Sequence, residues 1–406
     1  MNQPAPHFLH PVSMEEFFTM YWEQQPLHIH RKIAELAPVI DLADIESLLS
    51  SQPVFFPGVQ LTQSGKAIDV TSYADDQNRI LPLRLFEHYA QGATIILSQA
   101  HKLFAPLNDL CREVMRTMTM RCQTNIYLSP PGNQGFNAHY DSHDVFIIQV
   151  SGIKTFNFYP SSVELPCPGE PFDSRMLASD VIDESIQLTA GDTLYIPRGV
   201  VHDAVADDKA PSIHVTLGVY PVLLRDMLQE AIQILSERDS QFRRSKDSYL
   251  AQSKNNGVEP LQDALAALTS EVHRWLDDPD SIRLIQSRFD DELSVGALQD
   301  CRGLVMRGPV MRDEPGNAAA EPLPVFDTLR LRQGSLINHE LHPDGLKIRT
   351  FGQMLEFSEP IAGVVVNLLD NGELRKDELA TLRPEQRDAV VKRLLQANLV
   401  DFIQDR

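Results

Sequence analysis

Between Cys122 and Val219 the sequence consists of short runs of apolar, β-branched and aromatic residues, each bounded by turn residues. Such runs predict β-strands, and many short strands with hairpin turns are typical of a jelly roll or barrel. A double-stranded β-helix of this kind brings side chains that can act as ligands, from two strands far apart in sequence, together at one open end of the barrel. The predicted strands are Thr124 to Leu128, Val145 to Val150, Lys154 to Tyr159, Thr193 to Ile196 and Ile213 to Val219.

Helical patterns flank this β region on both sides. We interpret residues 1–220 as a catalytic domain, mostly β, with an N-terminal extension of short helices and strands. After it, apolar residues at three- to four-residue spacing predict an α-helical middle region over 221–311. The polar, proline-containing stretch Arg312–Pro324 is typical of a linker. Residues 325–406 combine helices with a short strand pair, which fits a C-terminal winged-helix-like α+β module.

His139 and Asp141 form an H-x-D pair, and His202 follows 63 residues later in the segment GDTLYIPRGVVH. If the pair lies in a strand, its two side chains project from the same face. Two histidines and one carboxylate are the facial triad of non-haem Fe(II) oxygenases, and a set without thiolates disfavours structural zinc. An H-x-D pair also occurs incidentally on surface strands, and a lone histidine in a loop is common. We predict that the three residues ligate one metal ion, with His214 as a rival ligand.

Lys154 is a charged residue within the apolar hairpin segment IKTFNF. If it faces inward, it needs an anion, and a dicarboxylate co-substrate that chelates the metal at one end would supply one at the other. If it faces outward, it is an ordinary lysine of an edge strand, and we regard the two orientations as equally compatible with the sequence. Asn125, Tyr127 and Thr216 are predicted to face the same interior and to hydrogen-bond a carboxylate. Tyr127 alone also fits a half-buried aromatic whose hydroxyl meets water.

His143 and His214 are the predicted substrate contacts. His143 shares strand parity with His139, but four residues along a strand span about 13 Å, too far to bind the same ion unless the chain bends. The alternative for His143 is simple packing at the mouth of the barrel.

The chain has 406 residues and a formal net charge of −20. This charge disfavours a general DNA or anionic-membrane binder and favours a basic partner, although an acidic surface is also common on cytosolic proteins. Cys111, Cys122, Cys167 and Cys301 form no C-x-x-C motif, so we expect a reducing compartment and a cytoplasmic location. The sequence predicts neither a signal peptide nor a membrane-spanning run.

The segments that carry these residues resemble the JmjC-domain oxygenases of the ribosomal-oxygenase, or cupin-4, group. The resembling segments are Asn125-Ile126-Tyr127, HYDSHDVFIIQVSGIK and GDTLYIPRGVVH, and EFFTMYWEQQPLHIHR is similar to that family's N-terminal F…YW…PL pattern. The resemblance implies a JmjC cupin barrel that uses Fe(II), 2-oxoglutarate as co-substrate, and O2. It also implies that the helical middle region forms a homodimer.

Carried over by position, the resemblance also implies roles for individual residues. The iron ligands would be His139, Asp141 and His202. Lys154 would bind the distal carboxylate of 2-oxoglutarate, and Asn125 and Tyr127 would line the same pocket.

We therefore predict a 2-oxoglutarate-dependent protein hydroxylase. The family's known substrates are ribosomal proteins hydroxylated on Arg or His side chains, and such basic substrates agree with the acidic charge of the chain. Two alternatives stay open: an oxygenase of a small peptide or natural-product precursor, and a non-enzymatic metal-binding cupin regulator. A winged helix often binds DNA, but the acidic chain disfavours this.

Overall fold

The computed structural model describes residues 5–32, 40–177, 179–250, 258–296, 326–332, 337–342, 344–350, 353–397 and 399–403. The chain divides into two compact units, Met1–Pro221 and Val222–Arg406. The boundary lies where the β pattern of the sequence gives way to helices. The predicted linker Arg312–Pro324 and Cys301 lie outside the described residues. The further division of the second half into a helical region and a C-terminal module stays a prediction.

In the described part of the first unit, local sequence signals determine where the α-helices begin. Ser13 caps the first helix by accepting a hydrogen bond from the backbone N–H of Glu16 at 3.1 Å. Asp41 and Asp44 form a reciprocal capping box at the second. Prolines occupy the first turn of the third and fourth, where the missing N–H costs no hydrogen bond. The helices are α1 (Met14–Met20), α2 (Leu42–Ser51), α3 (Pro82–Ala90) and α4 (Ala105–Met118).

The strands of the first unit form two antiparallel sheets. Their bounds are β1 (Leu27–Ile29), β2 (Val59–Gln63), β3 (Lys66–Ala67), β4 (Thr94–Leu97), β5 (Arg121–Ser129), β6 (Asp144–Ser151), β7 (Lys154–Tyr159), β8 (Glu184–Leu188), β9 (Thr193–Ile196), β10 (Val201–Ala206) and β11 (Ser212–Tyr220). The large sheet has the order β1-β9-β6-β11-β5-β4-β2-β3, and the small sheet has the order β10-β7-β8. These two sheets confirm the predicted jelly-roll core.

The two sheets share an apolar cluster. Val145 and Ile147 of β6 lie in it with Phe156 of β7. The intervening residue Phe146 belongs to a second, larger cluster, where it packs on Phe17 of α1. Because β6 is buried on both faces, its sequence is a continuous apolar run and not an alternating one. Each such side chain contributes roughly 1.5–3 kcal/mol through burial, so the core holds the sheets in register.

The sequence does not predict β2, β3, β8 or β10. In β8 only Leu188 is buried and Ile186 is half-buried, and β3 is exposed throughout. Such strands carry little apolar signal, because most of their stability comes from backbone pairing with a neighbour. The unpredicted strand β10 matters more for the functional site than the others, because it carries His202.

The second unit begins with helices. Ala231, Ile234 and Ile285 form their buried core, with Trp275 packed against it. Arg288 forms ion pairs with two glutamates of the first helix. The bounds are α5 (Leu224–Arg238), α6 (Lys246–Leu250), α7 (Glu259–Leu276) and α8 (Pro279–Gly296). α5, α7 and α8 match the three helices that the sequence predicts, Leu223 to Leu235, Leu261 to Trp275 and Ser281 to Asp291, whereas α6 is not predicted.

The C-terminal part of the second unit is an α+β arrangement around its own core. Its elements are β12 (Thr328–Leu331), β13 (Asn338–His342), β14 (Gly345–Thr350), β15 (Gln353–Phe357), α9 (Ile361–Asn371), β16 (Glu373–Arg375), α10 (Pro384–Gln396) and β17 (Val400–Ile403). The strands form two three-stranded sheets, β16-β12-β17 and β13-β14-β15. The sequence patterns predict strands over Thr328 to Arg332 and Val400 to Ile403 and helices over Ile361 to Leu369 and Pro384 to Asn398. These match β12, β17, α9 and α10, whereas the β13-β14-β15 meander is not predicted. A search of the described helices finds none that could serve as a membrane span.

Candidate active site

A pocket in the first unit brings together the nine residues that the sequence singles out. Strand pairing places several of them side by side: Tyr127 of β5 lies opposite His214 of β11, and Asn125 lies opposite Thr216. The residues that line the pocket are Thr94, Asn125, Tyr127, Gly135, Phe136, His139, Asp141, His143, Ile147, Lys154, Phe156, His202, Ala204, His214 and Thr216.

His139 and Asp141 lie in a loop before β6, and the expected strand is absent at these described residues. Only an isolated bridge is present: the N–H of His139 donates to the carbonyl of His202 at 3.0 Å, and the reverse bond is 2.8 Å. The N–H of Gly199 donates to the carbonyl of Asp141 at 3.0 Å. These three bonds hold the loop against the start of β10, so the H-x-D pair meets His202 without a continuous strand.

The donor atoms of His139, Asp141 and His202 lie within 4.8 Å of one another. His202 Nε2 is 3.9 Å from Asp141 Oδ2. Nδ1 of His139 lies 2.8 Å from the carbonyl of Asn137, and Nδ1 of His202 lies 3.0 Å from that of Val200. A carbonyl only accepts, so each Nδ1 carries the proton and each Nε2 keeps its lone pair for a metal. The residues thus fit a divalent metal that prefers nitrogen and oxygen ligands.

Burial and the neighbouring His139 lower the pKa of His202 to about 4. The imidazole is therefore neutral near neutral pH, and neutral imidazole is the form that binds metals.

Lys154 faces the interior, so the alternative prediction that it is a solvent-facing lysine of an edge strand is wrong. Its side chain is 3% exposed, and its ammonium donates one hydrogen bond, to Ser129 Oγ at 3.1 Å. Burial lowers the pKa of Lys154 to about 7, and within the described residues no carboxylate pairs with its ammonium. A buried ammonium without an anionic partner is costly, so this end of the pocket fits the carboxylate of a bound dicarboxylate.

His214 lies beside Lys154 and outside the metal-donor group. Its ring stacks on Tyr127 with centroids 4.8 Å apart and planes 3° from parallel. Burial, followed by the Lys154 charge, holds the pKa of His214 well below its ordinary value. Its Nδ1 is buried and has no hydrogen-bond partner among the described residues. This nitrogen is a second polar group that a bound ligand would satisfy.

Tyr127 and Asn125 line the wall between these two ends. Asn125 Oδ1 accepts the N–H of Gln99 at 3.0 Å, and its side chain also hydrogen-bonds Tyr127. Burial, followed by the charge of Asp141, raises the pKa of Tyr127 far above its ordinary value. The phenol therefore keeps its proton and can donate it to a carboxylate or carbonyl oxygen.

A bend at Ser142 and His143 carries His143 into the pocket. Its ring stacks on Tyr220 with centroids 4.8 Å apart and planes 12° from parallel. It also covers Gly218, where an added Cβ would lie 2.7 Å from the imidazole. The absent side chain of Gly218 thus makes room for this imidazole at the wall of the pocket.

Two residues of the site do not stand out in the sequence. Ser129 binds Lys154, and its parity with Asn125 and Tyr127 in β5 is the signal that identifies it. Asp203 accepts hydrogen bonds from three side chains, at 2.8 to 3.1 Å, and so anchors the strand that carries His202. Its donors are Gln134, Asn157 and Tyr159. They lie far from it in sequence, so the sequence gives no signal for this role.

Comparison with known proteins gives three independent likenesses. A family model described as the JmjC domain matches residues 99–227. A Drosophila grimshawi protein named bifunctional lysine-specific demethylase and histidyl-hydroxylase NO66 is 30% identical over 236 residues, which cover 55% of this chain and 31% of that protein. The protein of the same name from Aedes aegypti is 29% identical over 224 residues, 52% of this chain and 34% of that protein. The chain thus spans about a third of the length of these curated relatives.

Among solved structures, the Escherichia coli ribosomal oxygenase YcfD aligns with a TM-score of 0.52. The alignment covers 96% of this chain and 98% of that chain, at 15% sequence identity. A structure of the same protein in complex with cobalt and 2-oxoglutarate aligns with the same score over 97% of this chain. At this identity the likeness establishes the fold.

Proposed function

We propose that this protein is an Fe(II)- and 2-oxoglutarate-dependent protein hydroxylase, since residues 99–227 match the family model of the JmjC domain. The observation that carries the proposal is one pocket with two complementary ends. One end holds the two-histidine, one-carboxylate donor group, and the other holds the buried cation Lys154. A keto acid with two carboxylates matches both ends. The similar proteins include one named a histidyl-hydroxylase and a ribosomal oxygenase in complex with cobalt and 2-oxoglutarate.

His139, Asp141 and His202 would hold the iron by one face, through the two Nε2 atoms and a carboxylate oxygen. When bound, the iron couples O2 to the oxidative decarboxylation of 2-oxoglutarate, which gives succinate, carbon dioxide and one hydroxylated substrate C–H. The backbone bonds that fix both imidazoles keep the ligand geometry ready before the metal binds.

The remaining pocket residues position the co-substrate. Lys154 would pair with the distal carboxylate, and Ser129 and His214 lie beside it to add hydrogen bonds. Tyr127 stays protonated and would donate to the same ligand, and Asn125 orients the tyrosine hydroxyl. Thr216, opposite Asn125 in the sheet, completes this wall.

The substrate that we propose is a basic protein of the ribosome, modified on an Arg or His side chain, in line with the names of the similar proteins. The net charge of −20 supports a cationic partner, because complementary charge steers association. His143 at the pocket wall, whose ring stacks on Tyr220, is the residue we assign to contact it. A natural-product or small-peptide substrate is the alternative outcome of the assays below.

We also propose a homodimer formed through α5 and a cytoplasmic site of action. Leu224, Leu228 and Ile232 are spaced by four residues on α5, so they share one face, and all three are largely exposed. An exposed apolar stripe of this kind is typical of an interface.

The α+β arrangement from β12 to β17 fits a winged helix, for which we propose a protein-binding role and not direct DNA binding, given the acidic charge.

The test is turnover of 2-oxoglutarate to succinate by iron-loaded protein, with ribosomal proteins as substrates. We expect substrate-dependent turnover and a mass gain of one oxygen atom on an Arg or His residue. His139→Ala should abolish both, whereas His342→Ala, a change at an exposed histidine of the second unit, should leave both unchanged. If iron-loaded wild-type protein neither binds nor turns over 2-oxoglutarate, the proposal is wrong.

A further inference from the structure

A second group of metal-type donors lies on the first unit, outside the pocket. His28 belongs to β1, His30 follows the end of that strand, and Asp192 occupies the turn before β9. β1 is the edge strand of the large sheet and pairs with β9, so that His28 lies opposite Leu194. Since His28 and His30 are two residues apart in extended chain, their side chains lie on one face.

The distances within this group suit a metal ion. His28 Nε2 is 3.4 Å from Asp192 Oδ2, and His30 Nδ1 is 2.8 Å from Asp192 Oδ1. All three donor atoms lie within 4.8 Å of one another. Ligand atoms about 2.1 Å from one ion are about 3.0–3.4 Å apart at octahedral or tetrahedral angles. The separations of 3.4 Å and 2.8 Å in this group are close to that range.

Asp192 is preorganised as a ligand. Its side chain is 1% exposed, and it accepts hydrogen bonds from the N–H of Arg31 at 3.1 Å and of Thr189 at 2.8 Å. These bonds orient the carboxylate and keep it ionised, which is the role that outer groups have around metal ligands. The two imidazoles are 30% and 75% exposed, so an ion from solvent can reach them.

We propose that His28, His30 and Asp192 form a second metal site, for a divalent transition-metal ion such as Zn²⁺. Two imidazoles and a carboxylate without thiolates are the donor set of zinc sites that keep an open position. The ion would link the edge strand β1 to the turn before β9 and so fasten the N-terminal segment to the barrel. None of these three residues lines the active-site pocket, so the ion would act outside the catalytic centre.

This second site goes beyond the proposed function, and its primary readout is the number of metal ions bound per chain. Metal-free protein is titrated with Zn²⁺ alone, by calorimetry and by competition with a chromophoric chelator. We expect two equivalents per chain for the wild type. His28→Gln/His30→Gln should remove one equivalent and leave 2-oxoglutarate turnover with iron unchanged. His139→Ala should remove the other equivalent, and the triple variant should bind none.

Thermal unfolding gives a second readout. In the His139→Ala background, Zn²⁺ should raise the melting temperature of the first unit, because a ligand that binds only the folded state stabilises it. Adding His28→Gln/His30→Gln should abolish this rise, whereas the matched pair His10→Gln/His273→Gln, at two other exposed histidines, should retain it. A stoichiometry of one in the wild type, or a second equivalent that persists in His28→Gln/His30→Gln, would overturn the site. A failure of 2-oxoglutarate turnover alone would leave these measurements intact.

Discussion

Replacing Lys154 by Met should stabilise the ligand-free protein. Methionine has nearly the same length and no charge, so it fills the same space without the desolvation that lowers the lysine pKa from 10.5 to about 7. A tenfold change in a protonation equilibrium is worth about 1.4 kcal/mol, so the buried charge costs about 5 kcal/mol at most. Loss of the hydrogen bond to Ser129 offsets about 1 kcal/mol of this gain in stability. We expect a gain of roughly 2–4 kcal/mol in the free energy of unfolding near pH 6.

The pH dependence identifies the cause. The unfolded chain holds the Lys154 proton up to about pH 10.5, and the folded chain releases it at about pH 7. Between these values the unfolded state binds more protons, so the stability of the wild type rises with pH. The advantage of Lys154→Met should therefore be complete below pH 7 and should vanish as the pH approaches 10.5.

Guanidinium chloride unfolding at pH 6, 8 and 10 provides the measurement. A Trp275→Phe background leaves Trp22, which stacks on Tyr195, as the tryptophan that reports on the first unit. Lys66→Met, at an exposed lysine, is the matched control and should change little. Succinate should stabilise the wild type and not Lys154→Met. A variant that is less stable at pH 6, or an advantage that does not change with pH, would refute the reasoning.

Three further changes test individual contacts. Gly218→Ala should displace His143, because the new Cβ would lie 2.7 Å from the ring. In steady-state assays the KM for the protein substrate should rise, whereas the KM for 2-oxoglutarate should stay unchanged. Tyr127→Phe should raise the KM for 2-oxoglutarate by about tenfold, the equivalent of one lost hydrogen bond, with little effect on the KM for protein substrate. Asp203→Asn should lower the free energy of unfolding by about 2 kcal/mol in denaturant titrations, because charge-assisted bonds to three donors are weakened; an unchanged midpoint would contradict the anchoring role.

The sequence predicts which side chains meet in the pocket better than it predicts the backbone that carries them. His139, Asp141 and His202 do come together, but the H-x-D pair lies in a loop and His202 lies in β10. The expected strand is replaced by a single bridge because the hydrogen bonds come from residues about 60 positions away. A spacing pattern along the chain carries no information about such partners.

The orientation of Lys154 is a different case, since the sequence contains a signal that settles it. In β7 the buried residues alternate, and Lys154 has the same parity as Phe156 and Phe158. Two phenylalanines in register on one face mark that face as the core side. A lysine on the same face is therefore buried, and since none of the described carboxylates pairs with it, a bound ligand would supply its anion. The role of Asp203 lacks any comparable signal, because its donors come from two other segments of the chain.

The two donor groups of the first unit show that ligand identity alone does not determine function. Each has two histidines and one aspartate within 4.8 Å. At His139 the group opens into a pocket whose far end holds an unpaired, buried ammonium, so an ion there has a co-substrate site beside it. At His28 the group lies on the exposed edge strand, and the carboxylate is already engaged by backbone donors. An ion at the His28 site can bind and hold β1 against the turn before β9. Catalysis also needs the active-site pocket with the buried Lys154 ammonium. Lys154→Met should therefore abolish 2-oxoglutarate turnover while both zinc equivalents persist.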